Sequence, residues 1–235
     1  MFDISHITAL TSSATLTTVA KEVSSTSSTS AISELSSERA ADSATLSTLS
    51  SQLNSSAMRA QIRDSRLGFK ELGAVATSIN DKIAGTHYYA NRALHDAEVP
   101  DTDDPALLER ARQATLFKNG GGANPFSGLS QDQLKLIMYD EGGEFTINER
   151  STASSENHLQ QEAWNRAMGK RYVDEYNETG KSTQTLVMLL AHYDQLPPIE
   201  KAQYPANYAA NITSGDSSAM DIFAALKSPS NTLEA

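Results

Sequence analysis

Carboxylates crowd the middle of this chain. Asp140, Glu141, Glu144 and Glu149 fall within one short stretch, and two turn-forming residues, Gly142 and Gly143, lie among them. Such a stretch between two helices has the outline of a calcium loop. With Asp140 at the first loop position, Ile147 falls correctly at the eighth, but the third position is Gly142, the sixth is Phe145 and the twelfth is Ser151. A calcium loop needs side-chain oxygens at the third and twelfth positions and a glycine at the sixth, so tight calcium binding is not expected. Gly180-Lys181-Ser182-Thr183 has the ending of a phosphate-binding loop. That motif requires a glycine five residues earlier, where bare backbone N–H groups wrap the phosphates, and Glu175 stands there. A helix end at Gly180 and a helix start at Ser182 or Thr183 account for the same residues.

The histidines are His6, His87, His95, His158 and His192. His158 and Glu162 share a helix face at i, i+4, but zinc takes three or four ligands. His95 lies close to Asp96, Glu98, Asp101, Asp103 and Asp104, a grouping typical of solvated loops and helix starts. The chain contains none of G-x-S-x-G, S-x-x-K, H-E-x-x-H or G-x-G-x-x-G. Hydroxyls and acids are plentiful, yet no residue stands out as a nucleophile. No catalytic residue, cofactor ligand or metal ligand is assigned, and no cofactor is expected. Asp140, Glu149, Arg150, His158, Trp164 and Tyr172 remain as candidate pocket or contact residues.

The elements that must position these residues are helical. From residue 57 onward apolar residues recur at steps of three and four, the period of an amphipathic helix. Met58, Ile62, Ser65, Phe69, Leu72, Ala76, Ile79 and Ile83 form one stripe, with Arg59, Arg63, Asp64, Lys70 and Lys82 on the opposite face; the helix is expected to run on to about Glu98. Gly68 and Gly73 inside it point to close approach by a neighbouring helix. Asp104-Pro105 reads as an N-cap followed by the first helical residue, opening a helix to about 118. Gly120-Gly121-Gly122 with Asn124-Pro125 is the clearest break in the chain. Ser130-Gln131-Asp132-Gln133 matches a capping box. Asn148 is read as the cap of a long helix over 149–178 that puts Leu159, Trp164, Tyr172 and Tyr176 on one side. Leu186–Leu190, apolar all round, is expected at the centre of the core. Pro197-Pro198 stops that helix, and a last helix is expected near Ser218–Leu226. Phe145-Thr146-Ile147 is the one stretch with a hint of strand.

Residues 1–56 differ from the rest. Ser and Thr fill 26 of these 56 positions, and their hydroxyls compete for backbone hydrogen bonds. A faint heptad runs through Ile32, Leu35, Leu46, Leu49 and Leu53, with Arg39 and Asp42 on its seam. This segment is expected to be disordered alone and able to order on a partner.

Bulk composition removes several function classes. The net charge is −10 and the pI about 4.9, a surface that repels phosphate backbones, so nucleic acid is not an expected partner. The absence of cysteine removes disulfides and thiolate chemistry. The start lacks a cationic region followed by an apolar run, so no secretory signal peptide is read there. No apolar stretch is long enough for a membrane span. Two destinations fit, the cytoplasm or export by a signal-peptide-independent route.

Asn124-Pro125-Phe126, Gly128-Leu129-Ser130, Asp132-Gln133-Leu134, Tyr139-Asp140-Glu141, Phe145-Thr146 and Asn148-Glu149-Arg150 together resemble a block found in an uncharacterised bacterial protein family, continuing more loosely through Tyr193-Asp194, Leu196-Pro197 and Gln203-Tyr204-Pro205. The likeness covers about residues 124–210. It implies a shared C-terminal half and a variable N-terminal half, and it brings no activity.

The expectation is an all-α protein: a Ser/Thr-rich segment (1–56), a helical hairpin (57–119), a Gly/Pro linker (120–127), a C-terminal helical domain (128–226) and a tail (227–235). The expected function is that of a non-enzymatic bacterial interaction protein, engaging a protein partner through its N-terminal half and exported without a cleaved signal peptide. The alternative is a cytosolic enzyme or ligand-binding protein with a pocket near Trp164 and the 140–150 loop.

Overall fold

The computed structural model describes residues 48–214, which lie within one compact unit. The disorder expected of residues before 48, the helix expected at Ser218–Leu226 and the 227–235 tail lie outside the described residues. The chain is all-α, with no strand among the described residues. Phe145-Thr146-Ile147 forms the entrance to a helix.

Helix α1 covers 48–66. It therefore includes the end of the Ser/Thr-rich segment, where Gln52, Leu53 and Ser56 are buried. The heptad rhythm is real at this end, since Leu49 and Leu53 both join the core. The continuous helix expected to Glu98 is broken at Gly68, whose N–H donates to Glu71 Oε2 at 2.8 Å, and again at Gly85 and Asn91. The pieces are α2 (Phe69–Ala84), α3 (Thr86–Ala90) and α4 (Arg92–Asp96). The break after α1 shifts the helical phase. Leu72, Ala76, Ile79 and Ile83 are buried as expected, but Met58, Ile62 and Phe69 of the same stripe are exposed. Gly73 admits a neighbour, as a Cβ there would lie 3.0 Å from the Ala202 carbonyl oxygen.

Helix α5 (Pro105–Lys118) starts where Asp104 Oδ1 accepts the Ala106 N–H at 2.9 Å, with Pro105 as first helical residue. The 120–127 stretch then turns the chain into α6 (Gln131–Met138), and Asn124 holds the turn by accepting the Phe126 N–H at 2.8 Å. This places Phe126 inside the core. Ser130 and Gln133 form the expected capping box on α6.

Helix α7 (Ile147–Thr179) is the spine of the molecule, 33 residues long. Its cap is Thr146, and Asn148 is buried inside the first turn. The start of α7 packs on α2, α4, α5 and α6, and its far part packs on α8 (Thr183–Gln195). Short helices α9 (Pro198–Lys201) and α10 (Tyr208–Ser214) close against α2 and α8.

The core has two centres. The larger joins Leu53, Leu72, Ala76, Ile79, Ile83, Phe126, Leu134, Ile137, Phe145 and Ile199, and so crosses the Gly/Pro stretch. The smaller joins Met168, Leu189, Tyr208 and Ile212, with Trp164, Tyr193 and Tyr204 packed on it. Leu186–Leu190 is not central throughout. Leu189 is buried, but Val187 is 59% and Met188 40% exposed, because neighbours cover only one side of α8. Leu159 and Tyr176 of α7 are exposed for the same reason.

Candidate functional site

Charge concentrates where α7 begins. Thr146 Oγ1 accepts the Glu149 N–H at 3.2 Å, while Glu149 Oε2 accepts from the Thr146 N–H at 2.8 Å and hydroxyl at 3.0 Å. This reciprocal cap satisfies helix donors that have no partner within the helix and sets a negative charge at the positive end of the helix dipole. The second oxygen, Glu149 Oε1, accepts from Arg110 Nε of α5 at 2.7 Å. The Arg110 guanidinium lies over the rings of Phe145 (5.1 Å) and Phe126 (5.6 Å). It is a buried ion pair sheathed in aromatic carbon.

Asp140 centres a second group. Its Oδ1 accepts from Ser56 Oγ at 3.0 Å, Arg59 Nε at 2.9 Å and Arg59 Nη2 at 2.7 Å. Its Oδ2 accepts the Gly142 N–H at 3.1 Å. Arg59 Nη2 also donates to Glu144 Oε2 at 3.0 Å. The bond to Glu144, more than offsetting partial burial, and the bond to Asp140 raise the guanidinium pKa above its ordinary value. Arg59 and Arg63 were expected on the solvent face of their helix. Instead they turn toward the 139–144 loop, where Arg63 Nη1 donates to the Tyr139 carbonyl at 3.2 Å.

Arg150 donates from Nε and Nη2 to the Met138 carbonyl at 3.1 and 3.0 Å. Burial lowers its pKa, and Asp140, Glu141 and Glu98 pull it back up. Asn148 Oδ1 accepts from the Tyr88 hydroxyl at 2.8 Å. Its Nδ2 points at the His95 carbonyl (3.1 Å), Asp96 Oδ1 (3.0 Å) and Thr115 Oγ1 (3.1 Å). One amide thus ties α3, α4, α5 and α7 together.

Three of the six candidate residues, Asp140, Glu149 and Arg150, meet here. The other three do not. Trp164 lies 15 positions beyond Glu149, about 22 Å along the helix at ~1.5 Å per residue. It stacks on His192 at 4.0 Å in the smaller core. Tyr172 is half-buried further along, where its carbonyl accepts from Ser182 Oγ at 2.9 Å. His158 and Glu162 pair at 3.3 Å on an exposed face. The residues that sequence reasoning missed are Ser56, Arg59, Arg110, Tyr88 and, in its actual role, Asn148.

The carboxylates at the start of α7 have no accessible lone pairs to offer. The Asp140 and Glu149 side chains are wholly shut off from solvent and already hold guanidinium groups. A general acid or base must reach its substrate within hydrogen-bond distance, so in this conformation these residues join helices together. The phosphate-loop ending is likewise occupied. Gly180 ends α7 at φ 70°, and Glu175 accepts the Gln184 and Thr185 N–H groups at 2.8 and 2.9 Å. That carboxylate sits where a phosphate would meet α8.

A cleft of about 350 Å³ runs between Gln113, Leu116, Gly122, Ala123, Asn124 and Pro125. A smaller one of about 40 Å³ lies near Ser56, Arg63, Lys135 and Tyr139. None of the six candidates lines either. Among the described residues no cluster of His, Asp or Glu could hold a metal ion, and no helix is long and apolar enough to cross a membrane.

Comparison with protein-family models, with curated proteins and with solved structures gives no match. The block Asn124 to Arg150 has a structural reading of its own. Phe126, Leu134, Tyr139, Asp140, Phe145, Thr146, Asn148, Glu149 and Arg150 are all buried. It is a block that builds the larger core and anchors α7.

Proposed function

We propose that the chain is a non-enzymatic bacterial protein that acts by binding another protein through its N-terminal half, and that it leaves the cell without a cleaved signal peptide. The observation that supports the binding reading lies on α1 and α2. Met58, Ile62 and Phe69 are 66%, 47% and 46% exposed. Met58 and Ile62 stand one helical turn apart and share a face. Large apolar side chains grouped on a surface mark contact sites more often than single exposed ones do. The buried charges near Asp140 and Glu149 fit the same reading, because they fix the helices rather than face a ligand.

The experiment compares the full chain with a Met58→Ser, Ile62→Ser, Phe69→Ser variant. Exposed substitutions of this kind alter stability by only about 0.5 kcal/mol each, so the circular dichroism spectrum and Tm should hold. Cross-linking in the native bacterium should then capture a defined protein with the parent chain and lose it with the variant. An identical set of captured proteins from both would refute the assignment. Export is tested separately, by looking in the culture medium of unlysed cells for the chain at the same mass that it has inside them.

A further inference from the structure

We propose that His192 and Trp164 form an acid-released latch that holds α8 and α10 to the far half of α7. The two rings stack at 4.0 Å with 28° between their planes. His192 Nε2 is buried and has no hydrogen-bond partner. A neutral imidazole tolerates this, because an unpaired acceptor buried against an apolar ring carries no charge. Protonation puts a proton on each ring nitrogen and a full charge on the ring. The buried N–H then lacks an acceptor, and a charged donor left without one is costlier than a neutral one.

The neighbours of His192 set the balance. From α7 it faces Trp164, which is neutral. From α6, Lys135 opposes a second positive charge and Asp132 favours it. Helix α10 (Tyr208–Ser214) carries no Asp, Glu, His, Lys or Arg, and its Tyr208 hydroxyl, raised to about 12, stays neutral in this range. The indole face attracts an imidazolium, which works against release. Desolvation, the largest influence, and Lys135 act the other way and lower the His192 pKa below its ordinary 6.5.

The sign follows from linkage. The folded form holds its proton less tightly than the unfolded form. The contribution of His192 is therefore complete above pH 6.5 and is lost as pH falls through that value toward the depressed folded pKa. The smaller core has few buried members, Met168, Leu189, Tyr208 and Ile212, so this is where the chain yields. Release bares Trp164 and Leu189 and leaves the larger core in place. The latch does not depend on the proposed binding function.

The chain has a single tryptophan, so its emission reads this junction alone. In the full chain, lowering the pH from 7.5 to 5 should shift Trp164 emission reversibly to the red. Amide hydrogen exchange should rise in α8 and α10 before it rises in α2 and α6. His192→Phe keeps a stacked ring without a titrating nitrogen and should abolish the shift over that range. The same shift in His192→Phe overturns the proposal. So does a wild-type His192 ring proton that titrates by NMR at or above 6.5, a result that needs no variant and would mean that the indole attraction wins.

Discussion

Arg110 Nε lies 2.7 Å from Glu149 Oε1, with both side chains buried. This pair joins α5 to the first turn of α7 and stands at the middle of the larger core. Removing one member leaves the other as an uncompensated buried charge, which costs ~3–5 kcal/mol, whereas replacing both with apolar side chains is often neutral. Glu149→Gln should therefore lower the urea midpoint sharply. Arg110→Met should do the same, and Arg110→Met with Glu149→Leu should recover much of the loss, less the contribution of the cap. A Glu149→Gln midpoint equal to wild type would show that the pair is not buried as described.

Gly142 presents a second test. A Cβ built there would lie 2.3 Å from Arg59 Cζ. The guanidinium lies across bare backbone, and this is how it reaches Asp140. Gly142→Ala should push Arg59 aside and leave Asp140 short of donors in a buried place. The expected loss is ~1–3 kcal/mol, the cost of an unsatisfied buried polar group. Arg59→Lys should show a similar loss, since a single ammonium cannot supply both the Nε and Nη2 bonds. Full stability in Gly142→Ala would mean that Arg59 moves without cost.

The junction of the Ser/Thr-rich segment with α1 predicts a contrast between truncations. A chain starting at residue 48 keeps Gln52, Leu53 and Ser56, and one starting at 57 loses them. Leu53 is buried in the core, and Ser56 Oγ donates to Asp140 at 3.0 Å. Loss of a buried leucine alone costs ~2–5 kcal/mol. Thermal melts should show the shorter chain much less stable than the longer. Equal Tm values would place 48–56 outside the core.

Much of this architecture was legible in the sequence, and most of the exceptions come from neighbours that are distant in the chain. Local signals held at Asp104-Pro105, at Ser130 with Gln133 and at Gly180, which do what their types imply, but not at Gly68 and Gly85, where the helix expected to run on is broken. Asn148 misled because asparagine is a good cap in isolation, while Thr146 with Glu149 makes the better reciprocal one. Arg59 misled and Arg110 went unnoticed, because a charged residue on a helix usually faces solvent. Their partners lie 81 and 39 positions away, and helical periodicity says nothing about pairs that distant. The Leu186–Leu190 run overstated its burial because composition reports how apolar a helix is but not how many neighbours cover it. The candidate site was half legible for the same reason. Asp140, Glu149 and Arg150 are near in sequence and are buried in the same region, each on its own partners, whereas Trp164 and Tyr172 sit further up a helix whose length separates them.

High pH makes a fourth prediction. Burial, then the nearby Tyr193, raise the Tyr208 hydroxyl from its ordinary 10.0 to about 12. Burial raises Tyr204 and Tyr139 as well, Glu200 adding to the effect at both and donors to Tyr139 opposing it. The unfolded chain loses these protons first. Their contribution to stability is complete below pH 10 and declines as pH rises from there toward the folded values. Absorbance of tyrosinate should show a class that appears only well above pH 10, near or with unfolding. A single class ionising near 10 would mean that the Tyr193, Tyr204 and Tyr208 rings are not packed together.

The bonds that close the larger core span long stretches of chain, 84 positions from Ser56 to Asp140 and 123 from Asn80 to Gln203. The smaller core draws on Trp164 to Ile212, a continuous run folded back on itself along α7. Closing a loop costs more entropy the longer it is, and structures built from near neighbours in sequence form faster. The order of assembly follows: the hairpin of α7 and α8 forms early, and the start of the spine waits for α1 and α2 to arrive from far upstream. On a ribosome, however, α1 and α2 emerge first and have no surface to pack on until α6 and the start of α7 are made. Stopped-flow refolding, with Trp164 emission recovering before the slowest amides of α2, would show this order directly.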